Sequence, residues 1–237
     1  MNKVGFKKKE INNKRKGVLT DSLREFVFGM EDGLVSNLGL VLGVYIGGHN
    51  TSAALLAGSA SMFAGAFSMA AGSYLASKSQ REMYEQEMAV ASYDVGVHRK
   101  EKMTQMCKSL LKEGFEHKEV QVICNHYEKH DPSAFVSRYV SKKVGISMER
   151  LERPFEHAVV MFLSFLCGSL FPVLPFAVFT GMISVVVAIS LTISMLFVVG
   201  ILKTRYTGRS LVKSGMEIVV VGLGAGIIGY VVGLLFS

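Results

Sequence analysis

The chain has 237 residues, half of them hydrophobic, and its mean hydropathy is positive at +0.36. Glycine is abundant with 24 residues and proline is scarce with 4, a composition typical of a membrane protein with several spans. The net charge of +7 lies beside apolar segments, where anionic lipid headgroups are nearer than nucleic acid. We therefore expect a lipid bilayer as a partner and no nucleic acid.

Five apolar segments follow a basic arm, residues 1–23, whose first part is charged, poorly periodic and expected to be mobile. Each segment has roughly 20 mostly apolar residues, the length of helix that crosses about 30 Å of hydrocarbon. The segments are 26–48, 53–77, 156–178, 180–202 and 215–236. The sequence predicts an all-α polytopic membrane protein, with transmembrane helices 1 and 2 in 24–77 and helices 3 to 5 in 154–237.

The only sizeable polar portion, residues 78–153, separates the second and third spans. Its apolar residues recur at helical spacing, and its last part begins at Asp131-Pro132 and ends in Gly145, so we expect a three-helix insert. The insert has no strand-like alternation, no glycine-rich phosphate loop and no Ser-His-Asp arrangement. The sequence therefore gives little support for an enzyme.

Lysine and arginine lie on one side of the predicted bundle. The arm, the insert and the loop after the fourth span carry nearly all of them, whereas the turns after the first and third spans carry none. Because basic loops stay in the cytoplasm, we expect a cytoplasmic N-terminus and insert and an external C-terminus. The first span is too long for a secretory signal, and we expect a bacterial-type inner (plasma) membrane.

Two adjacent carboxylates, Glu31 and Asp32, interrupt the first apolar segment. A charged side chain inside a membrane-spanning helix costs a few kcal/mol, about 3 on lenient insertion scales, unless it faces a partner, water or an ion. An acid in this position is therefore a functional-site hypothesis.

The second span carries Ser68, Met69, Gly72 and Ser73 within about one and a half turns, so these residues can line one helix face. Small residues on that face would let the first span approach and bring the Met69 thioether near Asp32. Oxygen and thioether ligands together suit Fe²⁺ or Mn²⁺ better than Mg²⁺ or K⁺. The alternative is that Met69 only fills space between helices.

The three cysteines, Cys107, Cys124 and Cys167, have no CxxC spacing, so we expect reduced thiols and neither a zinc ribbon nor a disulfide framework. Cys124 begins a Cys-x-His-x-x-x-His cluster with His126 and His130, two histidines one helical turn apart as a metal chelate requires. We favour the alternative of a solvated helix face, because the spacing matches no standard zinc finger.

Other residues have two interpretations each. Glu156 and His157, at the entrance of the third span, are explained by snorkelling or salt bridging at the membrane interface, whereas Glu217 is a candidate pathway acid in the fifth span. The stripes Gly222-xxx-Gly226 and Gly229-xxx-Gly233 permit close helix packing within or between subunits, and we favour packing within the subunit.

Four stretches resemble signatures of the vacuolar iron transporter family. "REFVFGMEDGLVSNLGLVLGV" resembles the family's first span, "GAFSMAAGSYLASKSQRE" its second, "FLSFLCGSLFPVLPF" its third and "RSLVKSGMEIVVVGLGAGIIGYVVG" its fifth. The resemblance covers nearly the whole chain from Arg24. It implies a homodimer with five spans per subunit that moves Fe²⁺, and often Mn²⁺, out of the cytoplasm in exchange for protons.

Carried onto this sequence, the resemblance makes Asp32 and Met69 metal ligands between the first two spans. The family glutamate of the second span is replaced here by Ser73. Glu31 is a candidate substitute, but the sequence leaves its direction open because neighbouring helix residues point about 100° apart.

In the family the insert binds metal through several glutamates and a Met-Met pair followed by Glu. Glu82, Glu85 and Glu87 keep an acidic first helix here, and the resemblance makes them candidate ligands. The alternative is exposed carboxylates paired with Lys78 and Arg81. The positions expected for the Met-Met pair and the later Glu read Tyr139, Val140 and Lys143, so we expect weak metal binding by the insert.

The sequence thus predicts a secondary transporter that exports Fe²⁺ or Mn²⁺ from the cytoplasm by proton antiport. The metal ion is a substrate, and we expect no tightly bound cofactor. The alternative is a non-transporting membrane metal sensor or scaffold that retains the fold with degenerate ligands.

Overall fold

The structure, a computed structural model, describes the backbone of residues 3–129, 135–136, 138–140, 153–207 and 210–236, with side chains from Ser22 onward except in 129 and 205–207. The helices in these ranges are α1 (Lys3–Gly48), α2 (Thr51–Val97), α3 (Arg99–Lys112), α4 (His117–Lys129), α5 (Pro154–Val178), α6 (Met182–Thr207) and α7 (Leu211–Leu235). The described residues contain no strand. The prediction of an all-α chain is confirmed.

Among the described residues, five helices are long and apolar enough to cross a membrane. The candidate spans are Ser22–Gly48 in α1, Thr51–Val97 in α2, Pro154–Val178 in α5, Met182–Thr204 in α6 and Leu211–Leu235 in α7. The prediction of five spans in this order is confirmed. Helix α2 continues well past its apolar part because neither glycine nor proline interrupts the chain between Gly72 and Gly96.

The backbone of the basic arm is helical. Helix α1 begins at Lys3, so the arm continues the helix of the first span, and the expected mobility of the arm stays a prediction. The arm contains no proline, and lysine and arginine are good helix formers, so a helix started in the apolar span can propagate toward the N-terminus.

The chain forms two compact units, residues 1–76 with 153–237 and residues 77–152. In the first unit α1 packs mainly against α5 and α7, with further contacts to α6. Leu34, Leu38 and Val41 of α1 are at most 2% exposed, as are Leu196 of α6 and Ile218 of α7. Helix α1 is therefore the central element, and residues on it are positioned by several neighbours.

Helices α1 and α5 approach each other most closely beside the acidic pair. A Cβ atom on Gly168 would collide with the Met30 carbonyl oxygen, and one on Gly33 would collide with the Phe165 carbonyl oxygen. Next to this crossing, the buried amide of Asn37 donates to Ser169 Oγ over 2.8 Å. Small residues and one interhelical hydrogen bond thus hold α5 against the part of α1 that carries Asp32.

The glycine stripe of α7 packs inside the subunit. A Cβ atom on Gly229 would collide with the Gly39 carbonyl oxygen of α1, and one on Gly233 would lie 2.9 Å from the Ile46 Cβ atom. Gly222 faces Leu196 of α6. The structure therefore shows the intramolecular packing that the sequence favours.

The second unit has its own apolar core. Val95, Met106 and Phe135 form one buried cluster, and Met88 and Val140 belong to another. The first helix predicted for the insert is divided at His98 into the end of α2 and α3, while most of the third predicted helix, including Lys143, lies outside the described residues.

One prediction about the insert is wrong. The structure joins Cys107 of α3 to Cys124 of α4 by a disulfide, with the two Cα atoms 6.4 Å apart. Helices α3 and α4 form a hairpin, and this antiparallel pairing brings together two cysteines that are 17 residues apart in sequence. Sequence spacing alone does not reveal such a contact. Cys167 is a free thiol, as expected.

Candidate functional site

Asp32 lies half-buried on α1, one turn before the exposed Ser36. The Ser36 hydroxyl donates to the Asp32 backbone carbonyl over 2.5 Å, a contact that leaves the Asp32 carboxylate uninvolved. Within the ranges the structure describes, this carboxylate has neither a hydrogen-bond donor nor a cation as partner. Such an acid in an apolar helix is suited to receive an ion or a proton.

Glu31 is also half-buried, but it faces a different group of charges. It interacts electrostatically with Lys203 of α6 and, repulsively, with Asp32 and with Glu217 of α7. Glu217 itself is exposed.

The predicted face of α2 is only partly directed toward the bundle. Met69 and Ser73 are half-buried, but Ser68 is exposed, and a Cβ atom added to Gly72 would meet no described atom within 4 Å. The expectation that small residues here let α1 approach is wrong at Gly72. The close contacts of α2 lie earlier, where a Cβ on Gly58 would meet Val41 and Val173.

The carboxylate beside Ser73 belongs to Glu25, a residue that sequence reasoning missed. The Ser73 hydroxyl donates to Glu25 Oε2 over 3.3 Å, and Glu25 is only 8% exposed. A signal was present in the sequence, because Glu25 precedes Asp32 by seven residues, which places both on one helix face about 10 Å apart along the axis.

Helix α5 supplies a histidine to the same place. His157 is only 7% exposed, and its Nδ1 atom lies 3.6 Å from Glu25 Oε1. Of the two interpretations of His157, snorkelling is wrong, because the start of α5 packs against α1 and encloses the ring, whereas salt bridging agrees with the nearby Glu25 carboxylate. Glu156, in contrast, forms an exposed ion pair with Arg153 over 2.7 Å, as predicted for the interface.

A thioether follows His157 by one turn on α5. Met161 is 3% exposed, and its Sδ atom lies 3.1 Å from the position that a Cβ on Gly29 would take. Gly29 lies on α1 between Glu25 and Asp32, so its missing side chain leaves room for this sulfur. Along the interface of α1 and α5, the Glu25 carboxylate and the His157 imidazole are therefore followed by the Met161 thioether in the direction of Asp32.

The candidate ligands of the insert are engaged in surface contacts. Glu82 lies 3.8 Å from Lys78 and Glu85 lies 2.8 Å from Arg81, both as i,i+4 ion pairs on α2. These are the contacts that the alternative interpretation predicts. Glu87 is exposed.

The other candidate ligands of the insert also have structural roles. Cys124 is bound to Cys107, so its sulfur is not a thiolate ligand, and His130 lies outside the described residues. Tyr139 donates its hydroxyl hydrogen to Gln105 Oε1 over 3.0 Å, and Val140 is buried. Among the described side chains, no three of His, Cys, Asp or Glu are grouped to hold one ion.

These features define a class of protein: a helical membrane protein with five candidate spans and acidic side chains inside its bundle. The sequence model of the VIT family matches residues 23–234, and the chain belongs to this family.

Named relatives agree with this assignment. Vacuolar iron transporter 1 of Arabidopsis thaliana is 27% identical over 201 residues, which is 84% of this chain and 80% of that protein. The vacuolar iron transporter of Centaurea cyanus is 26% identical over 226 residues, covering 94% and 92% of the two chains. Vacuolar iron transporter 1 of Tulipa gesneriana is 27% identical over 204 residues, covering 86% and 82%.

Proposed function

We propose that this protein is a secondary transporter that moves Fe²⁺ or Mn²⁺ out of the cytoplasm across the membrane in which it is embedded. The observation that carries the proposal is the carboxylate of Asp32, which is half-buried in an apolar helix of a VIT family member and has no partner among the described side chains. A carboxylate in this setting is retained at a cost of a few kcal/mol, which a transported cation offsets when it binds.

The coupling ion in this proposal is the proton. A single carboxylate can hold a divalent cation when ionised and a proton when it is neutral, so Asp32 can alternate between the two. Exchange through one acid needs no nucleotide, in keeping with a sequence that lacks a Gly-rich phosphate loop. Metal release on the far side then accompanies proton uptake.

The assembly in this proposal is a homodimer. Large apolar side chains on α7, such as Ile227, Ile228 and Val231, are exposed and are suited to lipid or to a second copy. Chemical crosslinking in native membranes distinguishes these two environments.

Purified full-length protein in sealed liposomes tests the proposed transport. Fe²⁺, Mn²⁺, Co²⁺ and Zn²⁺ are supplied separately, and entry is followed with an enclosed metal-sensitive dye, with and without an imposed pH gradient. We expect Fe²⁺ and Mn²⁺ flux that increases with the gradient and a matching movement of protons. Binding without flux of any of the four ions would favour the sensor or scaffold instead.

A further inference from the structure

Three polar side chains from three helices meet near the N-terminal end of the first span. Glu25 of α1 and His157 of α5 are each more than nine-tenths buried, and Ser73 of α2 is half-buried. Ser73 Oγ donates to one carboxylate oxygen of Glu25 over 3.3 Å, and His157 Nδ1 lies 3.6 Å from the other. The cluster is about two helical turns from Asp32 and is separate from it.

The imidazole of this cluster is incompletely satisfied. His157 Nδ1 is buried and has no hydrogen-bond partner in the described structure, because 3.6 Å to the Glu25 oxygen is too long for a hydrogen bond. A buried nitrogen that has lost its water and gained no hydrogen bond is unfavourable. A buried ring nitrogen without a hydrogen bond, facing a carboxylate, indicates a binding site in which a further atom or ion contacts both groups.

The spacing suits a metal ion between the two side chains. Imidazole nitrogen and carboxylate oxygen each lie about 2.1 Å from a bound transition metal, so a separation of 3.6 Å corresponds to an angle of about 118° at the ion. Both atoms can therefore contact one ion after only small movements of the two side chains. Imidazole also favours transition metals over Mg²⁺ and Ca²⁺.

The other contacts of Glu25 leave this position accessible. Arg24 Nη2 lies 3.5 Å from Glu25 Oε1, but the Arg24 side chain is 73% exposed, so solvent screens this pair and the guanidinium can move aside. Ser73 binds the opposite oxygen and can orient the carboxylate toward His157. Toward Asp32, the next donor on α5 is the sulfur of Met161.

We infer that Glu25 and His157 form a binding site for a divalent transition metal, which the ion occupies before it reaches Asp32. The identity of the ion as the transported substrate rests on the proposed function, whereas its binding at this site does not. Ser73 is a positioning residue for the Glu25 carboxylate, and His157 is the ligand that selects transition metals.

Pulsed electron paramagnetic resonance of Mn²⁺ tests the site in the full-length protein in lipid nanodiscs. With one equivalent of Mn²⁺, we expect the modulation of the echo that a directly bound imidazole nitrogen produces. His157→Gln should remove this nitrogen signal, whereas His117→Gln, at an exposed position on α4, should retain it. Absence of the signal in the wild type, or its persistence in His157→Gln, would overturn the inference.

Glu25→Gln gives a second measurement that does not depend on the folding of the histidine variant. Loss of the charged ligand should weaken Mn²⁺ binding by about tenfold or more and reduce the nitrogen signal, while size-exclusion elution stays unchanged. Unaltered affinity and signal in this variant would contradict the site. Asp32→Asn should retain the nitrogen signal, because Asp32 is not a ligand of this site. If the wild-type protein shows the nitrogen signal but transports no metal ion, the proposed function is refuted and this binding site is not.

Discussion

Asp32 and Glu25 are acids on one face of α1 with different surroundings. Glu25 is enclosed by Ser73 and His157, whereas Asp32 is half-buried and its carboxylate has no partner among the described residues. Removing the charge from Asp32 therefore breaks no described ion pair. A substitution that removes the Asp32 charge should therefore change transport without unfolding the protein.

Asp32→Asn should abolish metal flux in liposomes while the protein remains folded, because the amide preserves shape and is cheaper to bury than an unpaired carboxylate. Flux of Fe²⁺ and Mn²⁺ and size-exclusion profiles provide the measurement. Glu101→Gln, on the surface of α3, is the matched control and should transport normally. Wild-type flux in Asp32→Asn would remove Asp32 from the pathway.

Met69→Leu should lower the ratio of Fe²⁺ to Mn²⁺ flux, because it removes a soft sulfur donor from the half-buried face of α2 at nearly constant volume. Competition between the two ions in liposomes measures the ratio. Met83→Leu, at a position that is 58% exposed, is the control. An unchanged ratio would make Met69 a packing residue only.

At the scale of the helices, glycines set how closely α1 meets its neighbours. The contact with α7 at Gly229 and the contact with α5 at Gly168 are both backbone to backbone, because a Cβ would collide with a carbonyl oxygen of α1. Backbones cannot move aside as the end of a flexible side chain can. The position of the acidic face of α1 therefore depends on these small residues.

Gly229→Ala should destabilise the bundle by about 1–3 kcal/mol, since the added methyl group overpacks a closed contact. Thermal unfolding in detergent, followed by the loss of monodisperse protein, measures this effect. Gly224→Ala lies on the same helix with open space around it and should not lower the midpoint, because alanine favours the helix more than glycine does. Equal midpoints for both variants would show that α1 and α7 are less closely packed.

At the scale of the whole molecule, the distribution of charge predicts the orientation. The turn between α1 and α2 contains no lysine or arginine, whereas the polar continuation of α2 and the insert contain many. Positive segments remain in the cytoplasm, so the two ends of α2 are expected on opposite sides.

Single cysteines test this orientation in a variant whose three native cysteines are replaced by serine. In intact cells, an impermeant maleimide should label Ser52→Cys but not Ser79→Cys, and permeabilised cells should show both labels, because both positions are exposed. Labelling of Ser79→Cys alone in intact cells would reverse the orientation and with it the proposed direction of transport.

The sequence by itself determined the number, order and approximate limits of the five spans. It could do so because the hydropathy of roughly 20 consecutive residues is a local property, and a helix in hydrocarbon must satisfy its own backbone. It also made Asp32 a candidate site residue, since an acid within such a segment is visible without knowing its neighbours. The same kind of local pattern showed that the α7 glycines permit close packing, but it only favoured packing within the subunit.

Only the tertiary structure decided which side chains meet. Glu25, Ser73 and His157 come from three helices, and the contact of Cys107 with Cys124 depends on the hairpin of α3 and α4. The sequence places His157 at the membrane interface, and only the packing of α5 against α1 shows that its ring is buried. Such contacts depend on how helices rotate and cross, which the packing of all neighbouring faces sets together and no single stretch of sequence specifies.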